Sequence, residues 1–321
     1  MALALLSPIS AAPARRRADA ENSLREPFVP KLLSRIADRA NVCIELEPEF
    51  GYAGRIVFAD GTSHPFKAGN LNINRGGAMA IADDKSYTSF FLRQAGLRTP
   101  RELTFFSEKL RANLDPAKAR TAREACHFAE RIGYPVIVKP NIGSFGNFVS
   151  KAYGPDEVMD AAALIFAKNE VALVQEFLAG NDHRIVVLGD EIVAAYQRVS
   201  LRIIGDGRST VQELLLRKKA SLPGLRRPNS DFDPADSRID RVLARARLAR
   251  DTVLSQGAVQ PLLDNANLST GGDVIDITDK LDPGLAATAV KATKALGLTL
   301  CGVDVICADA TRPSDDHVIL E

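Results

Sequence analysis

The sequence has little of what would mark it for a membrane, a nucleic acid or a thiolate-bound metal. No apolar run approaches the roughly 20 residues of a membrane-spanning helix, which excludes such a helix. Charge is balanced, with 41 Lys and Arg against 40 Asp and Glu and a net charge of +1 at pH 7. No overall field therefore draws the chain onto nucleic acid or an acidic membrane surface. Cysteine is scarce. Cys43, Cys126, Cys301 and Cys307 form no C-x-x-C and no metal-ligand spacing. Three of the four sit in apolar surroundings, and reduced core thiols of a cytoplasmic protein are the expectation. There is no repeat of solenoid period, no Walker loop and no G-x-G-x-x-G.

What remains is an ordinary soluble composition, 46% hydrophobic and 25% charged over 321 residues, enough for two or three subdomains. Residues 1–25 are rich in Ala, Leu and Pro, with Arg15-Arg16-Arg17 after the apolar stretch rather than before it. That order argues against a secretory signal and predicts a disordered leader, with an organelle transit peptide as the sharper alternative. Residues 26–80 alternate short apolar runs with turns. Arg55-Ile56-Val57-Phe58 entering Asp60-Gly61 predicts a hairpin, and the region is too short for more than an abbreviated domain.

Beyond it, Asp84–Ala95 has a helical period stopped by Gly96. Thr121-x-x-Glu124 is a capping box for a helix ending at Gly133. Tyr134–Pro140 reads as a buried strand, residues 141–147 as a loop and residues 148–150 as the next strand. A helix from Pro155 to Lys168 and a strand from Val171 to Phe177 follow. Then the pattern changes. Arg184–Leu188 and Glu191–Ser200 flank a Gly189-Asp190 turn, and Thr210-x-x-Glu213 caps another helix. Residues 222–240 show no period and predict a surface loop or lid. Arg226-Arg227 and the helix carrying Arg241, Arg245, Arg247 and Arg250 read as solvated faces or as anion contacts. A helix over 283–297 and a strand over 299–307 complete the pattern. Helices and hairpins alternating in blocks favour an α+β fold over a parallel sheet.

Chemistry concentrates at a few points. Lys139 ends an apolar strand, and its ammonium suits phosphate oxygens. Gly143 and Gly146 let backbone N–H groups approach an anion, and Ser144 adds a hydroxyl donor. Gln175-Glu176-Phe177-Leu178 ends a strand where backbone groups and apolar side chains can take a purine ring. Asp182 is placed for a ribose hydroxyl, Arg184 for a phosphate or acyl oxygen, and Arg198 for a carboxylate. His183 reads as a hydrogen-bonded structural residue rather than a base. Asp304, inside Gly302-Val303-Asp304-Val305-Ile306, is too apolar in context to stay unpaired. Metal ligation is the expectation, with Glu321 on a neighbouring strand. Asn265, Asn267, Ser269 and Thr270 form a polar loop that can hold substrate.

Taken in order, these segments resemble the ATP-grasp superfamily. They are most similar to the central ligase domain of cyanophycin synthetases and to glutathione-synthetase-like and glutamate ligases. The resembling stretches are Asp84-Lys85, Ala95–Pro100, Ile132–Pro140, Gly180–Arg184, Arg198-Val199 with Gly205-Asp206-Gly207, Ala266–Gly272 and Gly302–Val305, within residues 70–321. The resemblance implies two α+β lobes sandwiching ATP, over 81–178 and 179–321. It implies phosphate or adenine contacts from Lys85 and Lys139, an adenine hydrogen bond to Gln175 in place of the usual carboxylate, and a ring contact from the Leu178 N–H. Asp182 would hold the ribose, and Asp304 and Glu321 would bind magnesium, or manganese in its place. Catalytic roles fall to Arg184, Arg198 and Asn267. The implied activity is ATP-dependent carboxylate–amine ligation through an acylphosphate, with an amino acid or peptide as substrate. An impaired ATP-binding module or a phosphotransferase are the alternatives, and a homo-oligomer stays open. The family pattern continues to an asparagine two residues past the glutamate, so the last lobe is expected to be truncated at Glu321. Leu263 stands where the family often has arginine, and Asn147 where it has arginine or glycine.

Overall fold

The computed structural model describes residues 27–143, 146–222, 232–264, 266, 270–314 and 316–321. The expected leader, Ser144, Asn265, Asn267, Ser269 and residues 223–231 of the expected lid lie outside them. The chain divides into two compact units, Met1–Ile73 and Asn74–Glu321. Residues 74–80 thus lie with the second unit.

In the first unit, α1 (Phe28–Ile36) precedes an antiparallel meander of β1 (Val42–Leu46), β2 (Ala53–Phe58) and β3 (Ser63–Lys67). The β2–β3 turn is the expected one. Gly61 has φ +82°, and the Asp60 carboxylate accepts from the Thr62 N–H at 2.9 Å.

The second unit begins with α2 (Gly76–Asp83) and α3 (Lys85–Gln94), the latter capped by the Asp84 side chain on the Tyr87 N–H. Its first lobe contains β4 (Glu102–Phe106), α4 (Glu108–Arg111), α5 (Ala122–Ile132), β5 (Val136–Pro140), β6 (Ser150–Ala152), α6 (Pro155–Phe166) and β7 (Val171–Glu176). The sheet has the order β4-β7-β5-β6 and every pairing is antiparallel. Helices α5 and α6 cover one face, with Phe105, Phe128, Val138, Ile165 and Val174 in the shared core. The opposite face is left for the cleft. The capping box is present in full: Thr121 accepts from the Glu124 N–H, and Glu124 reaches back to the Thr121 N–H. One boundary is corrected. The strand expected from Phe148 begins at Ser150, because Phe148 takes φ +58° and breaks the extended run.

The second lobe contains β8 (Asn181–Leu188), β9 (Glu191–Val199), β10 (Arg202–Ile204), α7 (Val211–Ser221), α8 (Ser237–Arg245), β11 (Val259–Pro261), β12 (Asp273–Asp276), α9 (Pro283–Ala295), β13 (Leu300–Cys307) and β14 (Val318–Ile319). Its main sheet has the order β12-β9-β8-β13-β14, again antiparallel throughout. Helix α9 packs on one face through Ala289 and Ala292 against Ile185, Val187, Val303 and Val305. A third core lies under the β10–β11 pair, where α7 and α8 bury Leu215, Ile239, Leu243 and Leu262. This corrects the loop expected over 222–240. From Ser237 the chain is helical, because Ile239 and Leu243, four apart on one face, are both buried. The α+β expectation agrees with this arrangement. Leu263, where arginine was the family habit, is 3% exposed in the third core.

Among the described residues, no helix is long and apolar enough to cross a membrane. All four cysteines are free, Cys126 and Cys307 buried and Cys43 exposed. Removing the α5 cap is a direct test of the first lobe. Thr121→Ala should lower stability by about 1 kcal/mol, read as a shift in the urea midpoint, and Glu124→Gln should cost less.

Candidate functional site

Strand β13 carries Asp304 at its centre, and β14 delivers Glu321 beside it. The Asp304 N–H donates to the Glu321 carbonyl at 2.9 Å, and the Leu320 N–H donates to the Asp304 carbonyl at 2.7 Å. Glu321, two residues beyond β14, therefore stands beside Asp304 in the second lobe. Facing them are two buried lysines, Lys139 on β5 of the first lobe and Lys85 at the start of α3. Lys139 Nζ lies 3.5 Å and Lys85 Nζ 3.6 Å from Glu321 Oε1. Lys85 is placed by the start of α3, which is tied to the loop after β5: Asn141 donates to the Asp84 carboxylate at 2.7 Å, and Lys85 Nζ donates to the Gly143 carbonyl at 2.9 Å. Burial lowers the Lys85 pKa, and the positive charge of Lys139 adds to that effect while Glu321 opposes it. Two desolvated ammonium groups sharing one half-exposed carboxylate make a place where a further anion is stabilised.

The second half of the site is a chain of alternating charge. Arg184 meets Asp304 with both prongs, Nε to Oδ1 at 2.6 Å and Nη2 to Oδ2 at 2.7 Å. Arg198 Nη2 reaches Asp304 Oδ2 at 2.8 Å. The same guanidinium donates to Asp182 Oδ1 at 3.0 and 2.7 Å. Strand register builds this chain, since Asp304 is opposite Arg184 and Asp182 is opposite Arg198. Gly302 opens the path: a Cβ there would stand 3.0 Å from Arg184 Cδ. Burial pushes the Asp304 carboxyl up, but Arg198 and Arg184 outweigh it and hold the group below its ordinary range. Burial raises Asp182 to about 6, with Arg198 opposing the rise and the Asp304 charge adding to it.

Both halves line one cleft of about 890 Å³, a volume suited to a nucleotide-sized ligand. Its other end is apolar, walled by Ile137, Phe148, Phe177 and Leu178. Lys151 Nζ sits 3.5 Å from the centroid of the Phe177 ring. Gln175, 3% exposed, borders this end, and its amide nitrogen donates to Glu102 Oε2 at 2.7 Å.

Residues 109–220 match the RimK-like ATP-grasp domain. The chain is 32% identical over 252 residues to cyanophycin synthetase of Geminocystis herdmanii, covering 75% of this chain and 27% of that protein. It is 30% identical over 246 residues to the glutathione biosynthesis bifunctional protein GshAB of Mannheimia succiniciproducens, covering 74% and 30%. The fold resembles the crystal structure of a bifunctional glutathione synthetase from Pasteurella multocida, with TM-score 0.58, 25% identity, and coverage of 91% of this chain and 39% of that one. The chain carries an ATP-grasp domain. It spans about a quarter to a third of the length of the curated relatives it matches.

Within this ATP-grasp domain most of the expected residues come together. Lys85, Lys139, Gly143, Gly146, Gln175, Phe177, Leu178, Asp182, Arg184, Arg198, Asp304 and Glu321 all border the cleft. Gly143 and Gly146 have φ +139° and +67°, backbone that favours glycine. Ser144 and Asn267 fall outside the described residues. Glu176 does not face the cleft. Its carboxylate is held by Arg101, which donates from Nε at 2.6 Å and from its backbone N–H at 2.8 Å. The Glu176 N–H is also engaged, donating to the Arg101 carbonyl at 2.9 Å. Successive strand side chains point to opposite faces, so the Glu176 carboxylate lies away from the face that Gln175 presents to the cleft. His183 is structural as expected, 2% exposed with Nδ1 3.5 Å from Cys307 Sγ. Glu102 and Lys151 escaped the sequence reading. Lys151 stands five residues after Gly146 in a segment with no motif of its own, and Glu102 is visible only once β4 is paired with β7.

The Asp182 shift has a signed consequence. The folded state holds this proton more tightly than the unfolded chain, so stability from this group falls as pH rises from about 3.8 to about 6 and is level above. Asp182→Asn, neutral throughout, should gain on the wild type over that interval. Urea unfolding of the ligand-free protein at pH 4.5 and pH 7 checks this. A difference that is constant or shrinks with pH contradicts it.

Proposed function

We propose that the cleft binds ATP and drives carboxylate–amine ligation. The observation that carries this reading is the convergence of Lys85, at the start of α3, and Lys139, on β5, on Glu321, which sits beside Asp304. In this reading the two lysines and the backbone N–H groups of Gly143 and Gly146 hold the phosphates. The Gln175 amide oxygen accepts from the base, the Leu178 N–H donates to the ring, and Asp182 holds the ribose. A substrate carboxylate oxygen attacks the γ-phosphorus, the bond to the bridging oxygen breaks, and ADP leaves with that electron pair. An amine then attacks the acylphosphate carbon, loses its proton, and inorganic phosphate departs. The lysines offset the charge that spreads over the transferring group. Arg184 and Arg198 are placed to hold the acyl oxygens once their pairs with Asp304 and Asp182 open.

Asp304 and Glu321 are the residues that would hold magnesium, or manganese. The donor chemistry fits a hard cation, with two neighbouring carboxylates and remaining positions left to phosphate and water. Among the described residues there is no cluster of three or more His, Cys, Asp or Glu that could hold a metal by itself. When bound, the ion would neutralise phosphate charge. The relatives named for glutathione and cyanophycin synthesis support an amino acid or short peptide as substrate.

A second reading is favoured by one observation: both oxygens of Asp304 are engaged by arginines. A module that binds nucleotide without turnover accounts for that equally. Feeding the protein ATP, magnesium and mixed amino acids and short peptides separates the readings. Ligation releases ADP only when acid and amine are both present, and yields a product whose mass is their sum less water. ADP release with acid alone indicates a phosphotransferase, and ATP binding without release indicates the module. Lys139→Ala should retain the wild-type circular dichroism spectrum and weaken ATP binding by about tenfold or more, measured by calorimetry. An unchanged affinity removes Lys139 from the nucleotide site.

A further inference from the structure

The hydrogen bond between Gln175 and Glu102 has directional content. A carboxylate can only accept, so the group that Gln175 turns toward Glu102 must be its NH2. The 2.7 Å contact from Gln175 Nε2 to Glu102 Oε2 shows that arrangement. The amide oxygen is thereby directed away from Glu102, and Gln175 borders the apolar end of the cleft while Glu102 does not. No described residue donates to that amide oxygen. Strand register enforces the pair, since Glu102 lies directly opposite Gln175 in the β4–β7 ladder. Glu102 Oε1 is buried and accepts no hydrogen bond among the described residues, so the Gln175 amide is the one described side-chain partner that fixes this carboxylate.

We propose that Glu102 is a positioning residue that sets the base preference of the cleft, by locking the Gln175 amide with its oxygen toward the bound base. This deepens the reading of the cleft as an ATP site and rests on it. An acceptor there matches a purine with an amino group at its six-position. It faces lone pair to lone pair with a purine carrying an oxo group at that position. Without Glu102 the amide is free to rotate and offer its NH2 to the oxo group. Glu102 never touches the nucleotide and acts through Gln175.

The test compares ATP with inosine triphosphate, which differs at that position, in calorimetric titrations of the full chain with magnesium. Wild type should bind ATP about tenfold or more tighter than inosine triphosphate. Glu102→Gln, whose own NH2 can donate to the Gln175 oxygen, should bring that ratio close to one. The swapped pair, Glu102→Gln with Gln175→Glu, restores one amide facing one carboxylate and again presents only an acceptor to the base. It should return the ratio to within about threefold of wild type. A structural role alone would weaken both nucleotides together and leave the ratio unmoved. A wild type that binds ATP without preference overturns the proposal, as does Glu102→Gln retaining the wild-type ratio. Should the single variant fail to fold, a swapped pair with no ATP preference overturns it instead. A wild type that binds neither nucleotide removes the ATP reading itself, which distinguishes the two failures.

Discussion

The buried carboxylate of Asp304 is the constraint on which the rest of the site depends. An unpaired charge at such a depth costs several kcal/mol, and Asp304 is 4% exposed. Two guanidiniums meet that cost, one of them with both prongs. The arginines can reach it only because β8 and β9 lie on the correct side of β13 in one register, and because position 302 has no side chain. A slip of one residue in β8 would turn Arg184 to the face occupied by α9 and leave the acid alone. The register of the second sheet and the electrostatics of the cleft are thus one problem with one solution.

The first lobe solves the complementary problem. Lys85 and Lys139 are both buried and both converge on Glu321. Neither lysine is deeply stabilised by that arrangement, since one carboxylate serves two ammonium groups and is itself partly exposed. The acid-bearing strands and the lysine-bearing strand belong to different sheets. The excess of ammonium over carboxylate at this point favours a further anion in the cleft. Alternation of strand side chains does the sorting: Asp182 and Arg184 face the cleft, whereas His183 between them is buried against Cys307.

Much of the fold was legible because its signals are local. The capping boxes at Thr121 and Thr210 and the stops at Gly96, Gly133 and Gly297 act within one helical turn, and each appears as read. The switch from helices to hairpins was visible for the same reason, although it was read at Arg184 and β8 begins at Asn181. The errors were of two kinds. The bounds of the arginine-bearing helix were misplaced: it starts at Ser237, inside the charged, aperiodic stretch whose end its apolar pair Ile239 and Leu243 straddles, and it ends at Arg245, short of Arg247 and Arg250. The strand after the loop was started too early, at Phe148, because a positive φ leaves no mark in a run of apolar residues.

From its sequence alone the chain declared its class, its capped helix starts and the residue types of its cleft, because composition, caps and periodicity are properties of neighbours along the backbone. Tertiary structure alone decided what those residues do to one another. Glu102 faces Gln175 across 73 positions, Arg184 faces Asp304 across 120, and Lys139 faces Glu321 across 182. Charges interact through space rather than along the chain. Whether a buried acid is paired, shared or left open to a ligand is therefore settled by which strands become neighbours.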